Sequence, residues 1–255
     1  MLTATAGVAA SVVLASPALG PSPPNSPLPA RRALPAAPAP AFSVPTPRRL
    51  PSDEERSQFA QLRRVAVARS RPDRRAPVVA RLSTRTPEGT STIVPVLERR
   101  KRAGRLWIRV GLPVLPNNTT GWVGRSALGG YGTVTTRLVV DIQSLTAALL
   151  RNGRVVFEAP VGVGASRWPT PRGEFLVRSR LTRFESLFYG PLAFGTSARS
   201  AVLTDWPAGG FVGIHGTNRP ELLPGRVSHG CIRMRNEDIL RLGKLMPVGT
   251  PVTIR

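Results

Sequence analysis

The chain has 255 residues, 41% hydrophobic and 20% charged, enough to bury the core of one large domain or two small ones. Its formal charge of +22 is nearly all arginine, scattered from Arg31 to Arg255 without a stripe or a nucleic-acid-binding motif; this fits a solvated basic surface facing an anionic envelope, with no nucleic-acid partner. A single cysteine excludes an intramolecular disulfide framework and a multi-thiolate metal site, leaving Cys231 as a buried small residue or a working thiol.

Residues 1–19 carry no charge and read as a secretory h-region, with small side chains at 15–18 suited to cleavage. No Lys or Arg precedes Arg31, so the segment is expected to serve either as a cleaved signal or as a retained anchor, the one route to a membrane. Residues 20–51 are Pro- and Ala-rich and are expected to form a disordered, polyproline-like tether. Ser52 followed by Asp53, Glu54 and Glu55 has the form of a helix N-cap with acids in the first turn. Phe59, Leu62, Val65 and Ala66 continue at helical spacing, which predicts a short helix over 52–69.

After Pro72 the pattern changes to apolar runs at 78–82, 92–97, 106–110 and 121–123, separated by turn residues and expected as strands of a small β-barrel. Trp107-Ile108-Arg109-Val110, a Pro/Asn/Thr loop and Gly121-Trp122-Val123 resemble the closing hairpin of a bacterial SH3-like module. On that reading residues 52–130 form an SH3-like domain with a leading helix; a β-extension without a binding role fits equally. A second β-rich unit is expected over 131–255. Strands are predicted at 137–142, 145–150 and, after an Asn152-Gly153 hairpin turn, 155–157. Further strands are predicted at 173–181 and 210–214, a helix capped by Asn236 through residue 245, and a closing strand at 251–254. The fold class is therefore mainly β with one or two short helices.

Every His and Cys of the chain lies in one 17-residue window: His215-Gly216-Thr217, then Ser228-His229-Gly230-Cys231-Ile232-Arg233-Met234. A thiol attacks as thiolate, and its ordinary pKa of about 8.5 leaves it protonated at neutral pH. An imidazole within hydrogen-bond reach takes the proton and later returns it to a leaving amine. His215 ends the apolar run Phe211-Val212-Gly213-Ile214, so a strand is expected to hold its ring at a cleft. Gly216 and Gly230 leave bare backbone for a substrate carbonyl, with amides near Gly230 and Cys231 as an oxyanion hole. His229, two residues before Cys231, shares its face if the segment is extended. A Cys/His zinc site would need a further carboxylate, and the nearest, Glu237 and Asp238, read as first-turn helix residues, so no metal is expected.

These motifs resemble the signature of the L,D-transpeptidase catalytic domain, YkuD-like, without departure at the quoted positions. The stretches 161–164, Thr170-Pro171-Arg172-Gly173-Glu174-Phe175, Tyr189-Gly190-Pro191 and 249–254 are similar to the same family, so the resemblance covers about residues 131–255. It implies an L,D-transpeptidase-like β-sandwich and a cysteine acyltransferase of peptidoglycan. Cys231 would attack the carbonyl following the diaminopimelate L-centre of a tetrapeptide stem, expel D-alanine, and pass the acyl group from a thioester to an amine. Carried over by position, His215 is the proton acceptor, His229, Gly230 and Cys231 form the oxyanion region, and Ser228 orients the loop. Arg233 meets a substrate carboxylate or serves as a structural ion-pair partner. The family needs no cofactor, works at the cell wall or an equivalent exported space, and is a target of carbapenems. Two alternatives share the sequence: a carboxypeptidase-type hydrolase using the same thioester, and an inactive wall-binding protein.

Overall fold

The computed structural model describes residues 56–182, 187–203 and 210–255. The expected leader, the tether and the acidic cap at 52–55 lie outside these residues. Strands β1 (Ser57–Leu62), β2 (Ala66–Arg69), β3 (Val78–Leu82), β4 (Ile93–Arg102), β5 (Arg105–Gly111), β6 (Thr120–Gly124) and β7 (Leu128–Val134) form one seven-stranded sheet in the order β3-β2-β6-β5-β4-β1-β7. The helix predicted over 52–69 is not formed from Ser57 onward. Its apolar positions fit a 3.6-residue period, but Ala60, Leu62, Ala66 and Ala68 also alternate with more exposed neighbours, and these four fill the core. Pairing on both sides of β1, with β4 and β7, satisfies its backbone and decides between the two periods.

Strand β7 runs through the expected boundary at 130/131 and pairs with β1 as far as Val134, so the break between sheets falls at Thr135. Beyond it, β8 (Thr136–Asp141), β9 (Thr146–Arg151), β10 (Arg154–Pro160), β11 (Gly162–Gly164), β12 (Gly173–Leu181), β13 (Ala193–Arg199), β14 (Phe211–His215), β15 (Gly225–Ser228), β16 (Ile232–Arg233) and β17 (Pro251–Ile254) join a ten-stranded sheet. Its order is β10-β9-β8-β17-β12-β13-β14-β16-β11-β15. The predicted hairpin turn is present: Asn152 and Gly153 both take positive φ, 49° and 74°, between Arg151 and its partner Arg154. Helix α1 (Asn236–Leu245) matches the predicted span, but Arg235 holds the cap position and Asn236 makes no capping bond.

The sheet doubles over at β12. Gly173–Leu176 pair with β17, whereas Val177–Leu181 pair with β13, with a bulge where the pairing changes. Side chains from both ends of the strand order, Leu138 and Leu149 on one half and Val163, Phe194 and Ile232 on the other, therefore share one core, closed by Ile239 and Leu242 of α1. This is the mainly β, sandwich-like architecture expected. Phe194 is fully buried on β13. Phe194→Ala should cost about 3–5 kcal/mol, read as a lower urea midpoint at an unchanged slope.

The two sheets belong to one compact unit. Asn117 donates from Nδ2 to Arg199 O (2.8 Å) and accepts from Arg199 N–H (3.0 Å), and Asn118 Oδ1 accepts from Glu174 N–H (2.9 Å). Glu88 pairs with the buried Arg178 at 3.0 Å. The Phe59 ring leaves no room for a Cβ at either Gly132 of the first sheet or Gly249 beside the second, which fixes both positions as glycine.

Candidate active site

Strand β16 runs parallel to β14, with Ile232 opposite Ile214 and Arg233 opposite His215. That register brings Cys231 level with Gly213, whose N–H points at the sulfur at 3.4 Å. A Cβ on Gly213 would stand 3.9 Å from His215 Cδ2 and 4.0 Å from Cys231 Sγ, so thiol and imidazole flank one bare stretch of backbone. Cys231 is half-buried and lines a cleft with about 430 Å³ of open space, together with His215, His229, Arg233, Tyr189 and Phe211.

His215 is buried, and its Nδ1 lies 2.6 Å from Gly216 O. A carbonyl only accepts, so Nδ1 carries the hydrogen and Nε2 is left as the acceptor. The Tyr189 ring packs edge-on against the imidazole, centroids 4.9 Å apart. Burial brings the His215 pKa down to about 4; the Gly216 carbonyl opposes this and the Arg233 charge adds to it. Burial likewise pushes the Cys231 thiol up, against the pull of Gly213 N–H and the Arg233 guanidinium. Burial thus favours the neutral form of each group. Desolvation of the buried imidazole opposes a resting thiolate–imidazolium pair.

The turn from Ser228 to Cys231 is held from both sides. Ser228 Oγ donates to Cys231 O (2.6 Å) and accepts from Gly230 N–H (3.1 Å). Thr170 Oγ1 donates to Gly230 O (2.9 Å) and accepts from Gly164 N–H (2.8 Å). Gly230 has φ +109°, which a side chain would strain. This conformation interrupts the extended run, so His229 and Cys231 reach the cleft from a turn and not from one face of a strand. His229 is exposed, stacked on Trp168 at 4.0 Å, and Arg167 lies over the same indole at 4.3 Å.

Two glycine expectations change. Gly230 N–H is turned inward to Ser228, which leaves the Cys231 amide as the remaining one of the two expected oxyanion donors. Gly216 is buried; a Cβ there would meet the Asn236 carboxamide and Gly190, and its carbonyl serves His215, so it packs against protein and not substrate. Arg233 is buried with its guanidinium 4.5 Å from the Phe188 ring centre, and its Nε has no hydrogen-bond partner among the described residues. No described carboxylate lies within ion-pair distance of it.

Sequence reading placed none of Asn236, Thr170 and Tyr189 among the site residues, and gave Asn236 only a capping role. Asn236 Oδ1 accepts from Thr217 N–H at 2.9 Å, bracing the His215-Gly216-Thr217 corner from the start of α1. An Asn at a helix start gave a capping signal that concealed this longer-range bond.

Residues 135–254 match the family model of the YkuD L,D-transpeptidase catalytic domain. The "Putative L,D-transpeptidase YkuD" of Bacillus licheniformis is 37% identical over 122 residues, covering 48% of this chain and 67% of that protein. The chain belongs to the L,D-transpeptidase family. The "Putative L,D-transpeptidase YqjB" of Bacillus subtilis is 33% identical over 128 residues, covering 46% of this chain and 69% of that one. Among solved structures, an L,D-transpeptidase from Mycobacterium smegmatis aligns at 17% identity with a TM-score of 0.39, covering 64% of this chain and 99% of that one. The chain spans about half the length of an Enterococcus faecium L,D-transpeptidase, 47% of this chain and 49% of that one, at 23% identity and a TM-score of 0.37. All seven expected site residues lie within the span matched to the L,D-transpeptidase domain, and the seven-stranded sheet lies before it.

Proposed function

We propose that the protein is a peptidoglycan L,D-transpeptidase with Cys231 as nucleophile. As the sulfur attacks the donor carbonyl of a tetrapeptide stem, the thiol proton passes to His215 Nε2 and the C–S bond forms. The carbonyl electron pair becomes an oxyanion facing the Cys231 amide, with the His229 side of the turn closing the oxyanion region. Collapse breaks the bond to D-alanine, whose amine takes the proton from His215, leaving a thioester. An acceptor amine then attacks the thioester, loses a proton to His215 and releases the thiol. Burial of His215 favours the return step, since a desolvated imidazolium gives its proton readily to an amine. Arg233, buried and without a described carboxylate partner, is read as the group that meets a carboxylate of the stem.

The observation that carries this reading is the β14–β16 register, which sets His215 and Cys231 about the bare Gly213 backbone at an open cleft. A substrate in the wall calls for export, which the uncharged segment 1–19 would provide, and the basic surface suits anionic wall polymers. The seven-stranded sheet is read as the SH3-like part of the chain. Incubation of the protein with purified tetrapeptide stems should yield cross-linked dimers and free D-alanine by mass spectrometry. Shortened stems without dimers would assign the thioester to hydrolysis, and unchanged stems would remove the enzyme reading altogether. A carbapenem should add its mass at Cys231.

A further inference from the structure

The sulfur sits at the end of a buried chain of hydrogen bonds that begins in the other sheet. Glu88 Oε1, from the loop between β3 and β4, accepts from the Arg178 guanidinium at 3.0 Å. Arg178 Nε donates to Thr196 O at 2.6 Å, and Thr196 Oγ1 donates to Val212 O at 2.6 Å. Val212 O and Gly213 N–H are the two ends of one peptide group, and that N–H is the one directed at Cys231 Sγ. Thr196 and Arg178 are almost completely buried, so no water competes for these bonds. Arg178 also lies 3.8 Å from the ring centre of Phe211, which opens β14 and lines the cleft.

We propose that Glu88, Arg178 and Thr196 are positioning residues that fix and polarise the Val212–Gly213 peptide, so that its N–H stabilises negative charge on Cys231. A peptide whose carbonyl accepts a short bond becomes a better donor at its N–H, and a donor to sulfur favours thiolate over thiol. Thr196 is the connection, because its hydroxyl joins the arginine-held strand β13 to the Val212 carbonyl. The other titratable or charged groups facing the sulfur are His215 from β14, His229 from the turn, Arg233 from β16 and Tyr189 from the turn at 187–189; Thr196 touches none of them in the described contacts. The inference rests on Cys231 being the working thiol of the proposed transpeptidase.

The test is the pH dependence of alkylation by iodoacetamide of the full-length protein, whose single cysteine makes the rate a direct reading of thiolate. Thr196→Val, equal in size but without the hydroxyl, should move the profile up by about half a unit to one unit and slow the reaction at neutral pH about three- to tenfold. Thr196→Ser should restore the wild-type profile. A Thr196→Val profile that superimposes on wild type, or a Thr196→Ser profile that stays shifted, overturns the proposal. If Thr196→Val does not fold, Glu88→Gln is read in the same assay, with a smaller shift in the same direction expected and a superimposable profile again overturning it. Alkylation needs no peptide, so a protein unable to turn over stems would remove the proposed function while leaving this result readable.

Discussion

Cys231→Ala should reduce acyl transfer from a tetrapeptide stem by about 10⁴-fold or more and abolish the mass shift produced by a carbapenem. The loss has two sources. Without sulfur there is no thioester, so the two-step route through a covalent intermediate closes. The remaining catalysis comes from positioning and the oxyanion donor, and both depend on a turn that the substitution leaves in place, since Ser228 bonds the backbone carbonyl of residue 231 and not its side chain. Circular dichroism and the unfolding midpoint should therefore stay close to wild type. Residual activity within tenfold of wild type would show that another group performs the chemistry.

His215→Gln should lower kcat by about 10²–10⁴-fold with a much smaller change in KM, because the imidazole moves a proton while the stem is already bound. Its pH signature is distinctive. The folded-state pKa of about 4 lies below the ordinary 6.5, so between these values the unfolded chain binds a proton that the native state does not. His215 thus costs nothing above about pH 6.5, and stability is lost as the pH falls from about 6.5 through about 4, by about 3 kcal/mol once both states are fully titrated. Denaturant titrations should show this acid loss in the wild type and a flatter curve in His215→Gln. In the wild type the acid limb of kcat/KM should also fall near pH 4; a limb near 6.5 would mean that His215 is solvated and carries an ordinary pKa.

The parts of this structure legible in sequence are those whose signal is local. The Asn152-Gly153 turn, the strand at 173–181 and the closing strand at 251–254 lie where turn chemistry and apolar runs put them. The candidate site was legible because its residue types are rare in the chain: two His and one Cys within a single window. Residues 57–69 were misread because Phe59, Leu62, Val65 and Ala66 satisfy a helical period while Ala60 and Leu62 satisfy a strand period, and the deciding partners, β4 and β7, are remote in sequence. The same remoteness concealed Thr170, Asn236, Thr196 and Glu88. Each is an ordinary polar residue whose role appears only when the fold carries it to a carbonyl, amide or guanidinium 16 to 90 positions away. The conformation of the 228–231 turn was obscured for another reason: Gly230 permits either an extended or a left-handed backbone, and Ser228 and Thr170 together select the second.

Phe59 bears on how much of the chain folds together. Its ring belongs to the first sheet, yet it rests on Gly249, whose own N–H closes onto Val177 where β12 changes partners. A fragment that starts where the family match starts, at residue 135, would open a greasy slot over that corner and leave the buried Arg178 without its carboxylate partner. The stretch matched to the family model is thus shorter than the stretch packed together here, and a fragment trimmed to the former should come out insoluble.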